Sequence, residues 1–385
     1  MPTTAYFDNA ATSFPKPEVV YNYMDSFYRS YGVNVGRGQH KLAFQAANMV
    51  EETRSLLLQL FHCPNRQVIF TPSSTEALNV IIQGQKYFNG CNIYISPFEH
   101  NSVTRILHHF ETETAISVRQ LPVDRNTLQY DLPLIKRDFI KNRPHYVIVS
   151  HASNVCGLVA PVSSICELAK EYGATTIIDM SQTAGLIDTN LNNDNIDYAV
   201  FAGHKTLYGP FGISGFIAKS DSELRPLMYG GTGTESANQD MPSFLPSRLE
   251  AGSVNVAALA GLNASLKWLL EKTCSVVRAK EEENRQTLIS ILSDFPNVHI
   301  VGAENSQNSI GIVSCVFDGY SPDSIGQVLS DHNVAVRTGL HCSPIAHRFL
   351  GTFPSGTVRF STSFFTSSED YEILTGALNY IEENS

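Results

Sequence analysis

The chain has 385 residues, more than one hydrophobic core usually organises, so two domains are expected. Hydrophobic residues make up 43% and charged residues 17%, the balance of a soluble globular enzyme. A net charge of −10 argues against nucleic acid as a partner, and no apolar run is long enough to span a bilayer. The first residues, Met1 to Asp8, lack the basic and apolar regions of a secretion signal. The seven cysteines form no C-x-x-C pair, so no metal site or disulfide framework is indicated, and a cytoplasmic protein with reduced thiols is expected. In chain order, Tyr6 to Thr12 reads as a short extended piece ending in small residues. Prolines 15 and 17 precede a helix expected from Val19 to Tyr31. The loop Gly32 to His40 is glycine-rich, which lets backbone approach a ligand but equally suits a plain connector. An amphipathic helix follows over about Leu42 to Phe61. Gln67 to Phe70 is a strand, and Thr71 to Asn79 turns into a helix. Free N–H groups and hydroxyls at that helix start would cradle a phosphate on Ser74, Thr75 and Glu76; simple N-capping is the competing reading.

Asn92 to Ser96 is the next strand, leading to Glu99 and His100, and His145 to Ser150 is a strongly buried one leading to Asn154. After a helix over Val162 to Tyr172, the strand Ala174 to Asp179 ends in a carboxylate. The strand Ile196 to Phe201 then breaks into small residues around a single lysine, Lys205. A lysine kept dry has a lowered pKa and a nucleophilic amine, suited to holding pyridoxal 5′-phosphate. An acid such as Asp179 at the same sheet edge would keep that cofactor's ring nitrogen protonated. An ordinary loop lysine and a helix-capping aspartate are the competing readings. Ser214 to Ala218 reads as the last strand of the large domain, and Met228 to Ser253 is polar and glycine-rich. From about Asn255 the pattern changes to two long helices, Ala257 to Leu270 and Ser275 to Leu292, then short strands at 298–300 and 312–317. The expected boundaries are therefore 15–254 for a large cofactor-binding domain, and 1–14 with 255–385 for a small one. Near the end, Val336 to Pro344 surrounds Cys342 with arginine, glycine and histidine, a setting for an exposed reactive thiol.

Asp179-Met180-Ser181-Gln182 together with Gly203-His204-Lys205 resembles the class V aminotransferase family of fold-type I pyridoxal phosphate enzymes. Within it, the likeness is to the group II cysteine desulfurases and selenocysteine lyases. The resemblance runs from Phe7-Asp8-Asn9-Ala10-Ala11-Thr12 to Arg359-Phe360-Ser361. It implies an α/β fold: a large domain with a mainly parallel seven-stranded sheet between helices, plus a smaller α+β domain. It also implies that Ser74, Thr75, Glu76 and His204 hold the cofactor phosphate. His100 would stack on the ring, Asp179 would meet the ring nitrogen, and Gln182 and Asn154 would face the ring hydroxyl. Ser253, which replaces the family's threonine, would reach the neighbouring subunit's phosphate, implying a homodimer with shared active sites. Arg359 and Asn154 would bind the substrate carboxylate, and Arg37, His40, Arg337 and His341 would border the substrate.

The catalytic groups implied are Lys205, Cys342 and His100, with L-cysteine converted to L-alanine and sulfur passed to Cys342 as a persulfide. A sulfur-acceptor protein would follow. Two departures stand out. Ala202 replaces a serine whose hydroxyl meets the phosphate, implying weaker cofactor binding, and Leu340 replaces a histidine, so no proton-transfer role carries over there. A related C–S lyase, or a lyase of L-selenocysteine, would not need Cys342. A partner-binding scaffold of the same fold would not need Lys205.

Overall fold

The computed structural model describes residues 4–35, 38–235, 237–302 and 308–384. In chain order the elements are β1 (Ala5–Tyr6), α1 (Glu18–Tyr31), α2 (Lys41–Leu60), β2 (Gln67–Thr71), α3 (Ser74–Gln83), β3 (Asn92–Ile95), α4 (Asn101–Glu113), β4 (Ser117–Gln120), α5 (Leu132–Lys141), β5 (Tyr146–Ser150), α6 (Val162–Glu171), β6 (Thr175–Asp179), β7 (Tyr198–Ala202) and β8 (Ser214–Ala218). There follow α7 (Val256–Lys272), α8 (Cys274–Ser293), β9 (Val298–Val301), β10 (Ile312–Phe317), α9 (Pro322–Asp331), β11 (Val334–Ala335), β12 (Arg337–Gly339), α10 (Pro344–Leu350), β13 (Thr357–Ser361) and α11 (Ser368–Glu383).

The seven-stranded sheet expected from the sequence has the order β2-β8-β7-β6-β5-β3-β4. Strands β4, β3, β5, β6 and β7 run parallel, while β8 is antiparallel to both β7 and β2. Strands β5 and β7 are buried along their whole length, which is why they read as unbroken apolar runs rather than alternating ones. Helices on both faces close two apolar layers around the sheet. The parallel strands end together, so Ser150, Asp179 and Ala202 share one edge, the place where open α/β sheets receive ligands.

A second sheet, antiparallel in the order β12-β13-β10-β9, packs against α8, α9 and α11. Strand β1 joins this region by pairing in parallel with β11, Ala5 opposite Val334. Helix α11 starts with a capping box: Ser367 accepts the Asp370 N–H and Asp370 accepts the Ser367 N–H. Helix α7, grouped from the sequence with the smaller unit, packs instead on α1 and α2. Leu259, Leu262, Leu266 and Leu269 lie in the larger core. Its residues are apolar on nearly every side, so no single stripe announced which layer it would join.

The two regions meet at a buried acid. Glu281 on α8 accepts the Tyr208 hydroxyl at 3.2 Å, and the same Tyr208 oxygen accepts the Phe364 N–H at 2.9 Å. Burial raises the Glu281 carboxyl from 4.5 to about 8. Between these two values the folded state holds a proton that the unfolded state has released, so the group's stabilising contribution falls as pH rises towards 8. Glu281→Gln keeps the acceptor for Tyr208 and removes the titration. The melting temperature of this variant should gain on that of the wild type as pH is raised from 5 to 8. A constant gap in calorimetry would show that Glu281 does not titrate in this range.

Candidate active site

Lys205 stands three residues beyond β7, in a turn held tight against the neighbouring chain. A Cβ at Gly203 would lie 2.3 Å from the Ile213 carbonyl oxygen, so only glycine permits that approach. Lys205 is largely screened from water. Burial is the main cause lowering its amine from 10.5 to about 8; Asp179 opposes this, and Arg359 and Arg337 add to it. Asp179 is buried and accepts both the Ser181 N–H (2.9 Å) and the Ser181 hydroxyl (2.5 Å) through Oδ1. Gln182, also buried, donates from Nε2 to the Ala10 carbonyl at 2.9 Å, which draws the N-terminal segment over the site.

Two histidines flank the lysine as neutral rings. His100 caps α4, its Nδ1 accepting the Ser102 N–H at 3.0 Å, which leaves the ring proton on Nε2. Burial, with Lys205 and the two arginines, lowers His100 to about 4 against the pull of Asp179. His204 stacks on Phe211 with ring centroids 4.5 Å apart, and burial, Lys205 and Lys16 lower it to about 3. Its Nδ1 is buried and has no hydrogen-bond partner among the described residues. The His204 carbonyl anchors the N-terminal segment, accepting from Thr12 Oγ1 (2.9 Å) and from Lys16 Nζ (3.2 Å).

The phosphate cradle expected at α3 takes a mixed form. Ser73 caps the helix by accepting the Glu76 N–H at 3.2 Å, so that donor is engaged within the helix end. Ser74 is half-buried and Thr75 exposed in the first turn, where the helix dipole favours an anion.

The small sheet brings in the guanidinium groups. Arg337 on β12 sits directly opposite Arg359 on β13. Like charges placed across a strand pair are destabilising, so the arrangement suits a bound anion that answers both. Arg359 is 1% exposed; it donates to the Asn154 carbonyl at 3.0 Å and to Asp8 Oδ1 at 2.9 Å. Arg337 donates towards Cys342 Sγ at 3.6 Å. His341 and Cys342 both adopt left-handed backbone, φ 48° and 59°, so the thiol sits at the tip of a sharp turn. The Cys342 carbonyl accepts the Asn101 N–H at 2.7 Å, docking this turn on the start of α4 beside His100.

Lys205, Asp179, Gln182, His100, His204, Asn154, Arg337, Arg359 and Cys342 thus gather where the parallel-sheet edge meets the small sheet. Other expected positions fall elsewhere. His341 is buried, its Nε2 2.8 Å from Thr357 Oγ1 and its ring against His347, and burial lowers it to about 2; it supports the turn from below. His40 is exposed and caps α2, accepting the Ala43 N–H at 3.2 Å. Ser253 is exposed and lines a separate cleft of about 740 Å³ with Arg54 and Glu250. Arg37 lies outside the described residues. No local sequence signal assigns a role to Asp8, Lys16 or Ser343. Asp8 was visible in the N-terminal motif, and Lys16 as a lone cation between two prolines, but neither could be placed without the fold.

The family model for class V aminotransferases matches residues 5–374. The chain belongs to the class V aminotransferase family. Among its relatives, a cysteine desulfurase of Synechococcus elongatus is 30% identical over 99% of this chain and 61% of its own length. The chain therefore spans about three fifths of that protein. A probable cysteine desulfurase of Aeropyrum pernix is 31% identical over 98% of this chain and 94% of its own length. The apo structure of a cysteine desulfurase from Thermococcus onnurineus shares the fold with a TM-score of 0.90 and 28% identity, covering 99% of this chain and 95% of that one. The class V aminotransferase described here thus carries its depressed lysine and its paired arginines on the same architecture as that desulfurase. No helix of the described residues is long and apolar enough to cross a membrane.

Proposed function

We propose that the chain is a pyridoxal 5′-phosphate-dependent cysteine desulfurase that converts L-cysteine to L-alanine and takes the sulfur onto Cys342. The observation that carries this is the position of Cys342. It lies beside Arg337 and close enough to Lys205 and Arg359 to influence the charge state of both. The donor set fits the cofactor: a carboxylate at the end of a buried strand, an amine of lowered pKa, a helix N-terminus, and an unpartnered buried nitrogen on His204. Asp179 would meet the ring nitrogen, His100 the ring face, Lys205 the aldehyde carbon, and Ser74, Thr75 and His204 the phosphate. When bound, pyridoxal phosphate supplies an electron sink for the pair released at the substrate α-carbon.

The protein's own groups supply the rest. Arg359 binds the substrate carboxylate through a planar guanidinium that is already oriented by Asp8 and the Asn154 carbonyl. Lys205 Nζ takes the α-proton, and its lowered pKa keeps the amine available as a base near neutral pH. Cys342 Sγ, as thiolate, attacks the substrate sulfur. An S–S bond forms as the substrate Cβ–S bond breaks, Cβ gains a proton, and Lys205 returns a proton to Cα to leave L-alanine. Arg337 faces the sulfur where charge is redistributed.

A homodimer with shared active sites belongs to the same proposal. Exposed Ser253, the cleft that it lines, and the large apolar side chains left in water at Tyr28, Phe44, Phe211 and Tyr229 support it. L-selenocysteine as a second substrate, and a protein that takes sulfur from Cys342, are extensions of this reading. The test is to mix purified, cofactor-loaded protein with L-cysteine, then assay alanine, pyruvate and sulfide together and map Cys342 by mass spectrometry. Alanine with a 32-Da adduct on Cys342 (one sulfur atom, roughly) is expected. Pyruvate in place of alanine would overturn the proposal in favour of a lyase.

A further inference from the structure

We infer that Ser343, acting through Asn154, is a positioning residue that fixes the Cys342 turn over the site. The inference rests on the desulfurase reading for its catalytic meaning, but its geometry stands independently. Asn154 brackets the cysteine: Nδ2 donates to the carbonyl of His341 at 2.7 Å, and Oδ1 accepts the hydroxyl of Ser343 at 2.7 Å. The residues on either side of Cys342 are therefore tied to one amide. The backbone carbonyl of the same residue accepts from Arg359, so the substrate-binding guanidinium and the nucleophile turn share a hub.

The placement of Ser343 argues for a specific role. It stands at the N-cap of α10, where serine normally turns its hydroxyl back to cap the helix. Here the hydroxyl caps nothing in α10 and reaches Asn154 instead. The side chain is fully buried, so a lost partner cannot be replaced by bulk water. The turn it secures has two successive residues in left-handed backbone, a geometry that side chains other than glycine rarely hold unaided. A third tie, from the Asn101 N–H to the Cys342 carbonyl at 2.7 Å, reports directly on whether the turn is seated. Asn154 keeps one amide hydrogen and one lone pair beyond these two bonds, so it can clamp the turn and still face a ligand.

The consequence is a nucleophile placed before substrate arrives rather than carried in by a swinging loop. The test measures amide hydrogen exchange in the cofactor-free protein, without substrate, for wild type, Ser343→Ala and Ser153→Ala. Ser153 is an equally buried serine whose hydroxyl accepts from Val155 and Cys156 N–H groups, so it controls for the loss of any buried hydroxyl nearby. Ser343→Ala should speed exchange of the Asn101 amide and of the segment 339–343 by about tenfold, leaving the rest of the chain unchanged. Ser153→Ala should leave both at the wild-type rate. In the loaded enzyme, Ser343→Ala should lower kcat by about tenfold with KM for L-cysteine within about twofold. Unchanged exchange in Ser343→Ala, an equal change in Ser153→Ala, or a rise throughout the chain would each overturn the assignment. Because exchange is read without turnover, a failed clamp and a failed desulfurase reading give different results.

Discussion

Lys205→Ala protein, mixed with pyridoxal phosphate, develops no absorbance band near ~420 nm and forms alanine from L-cysteine at least about 10³-fold more slowly than wild type. The size of this effect follows from where the amine sits. The β7 strand is buried along its length, and Gly203 lets the turn press against Ile213, so the Lys205 backbone is held at one place. Lys16, whose amine lies beside His204, already donates to the Ser13 and His204 carbonyls. The same location predicts a pH dependence. With a pKa lowered from 10.5 to about 8, the amine of the cofactor-free protein loses its proton as pH rises through 8. The rate at which the ~420 nm band grows on adding cofactor should climb over that range and level off above it. A rate that is flat from pH 6 to 9 would mean that Lys205 is not the group that reacts. Substantial turnover by Lys205→Ala would remove it from the mechanism altogether.

Cys342→Ala separates the steps differently. Lys205, Asp179 and the α3 cradle remain, so the absorbance band should form as in wild type and shift on adding L-cysteine. The protein-bound sulfur adduct should vanish, and alanine formation should fall on the order of 10³-fold. Arg337 would then face an empty position, and Arg337→Ala, with the thiol retained, should give a smaller loss than Cys342→Ala. If Cys342→Ala keeps its activity and releases pyruvate, the chemistry ends at C–S cleavage without transfer to the protein.

Much of this site was legible in the sequence because parallel strands write themselves plainly. A run such as Ala174 to Asp179 is rich in β-branched residues and uncharged until its last position, so both the strand and the carboxylate at its tip are readable. Tyr198 to Ala202 is likewise an unbroken uncharged run, with Lys205 three residues beyond it. Antiparallel register was not readable. Nothing local to Arg337 and Arg359 says that they stand opposite each other, because that depends on how β12 and β13 align. The Ser343–Asn154 bond joins segments far apart in the chain, and Ser343 viewed locally is an ordinary helix cap. His341 looked like a catalytic neighbour of the cysteine, yet its ring turns inward, since alternate side chains of a tight turn cannot all face the cleft. Helix α7 hid its allegiance by being apolar all round.

Strand β1 has a consequence for the order in which the chain matures during synthesis. Its partner β11, and the arginine that binds Asp8, both lie near the far end of the polypeptide. A ribosome adding about 5–20 residues per second delivers the seven-stranded sheet well before either appears. Residues 5–8 must therefore wait for these partners beside an otherwise completed layer. Ala10 and Thr12, which cover Gln182 and the His204 carbonyl, gain the support of that anchored segment only at the end, so the sheet edge should be more open in the nascent protein than in the finished molecule.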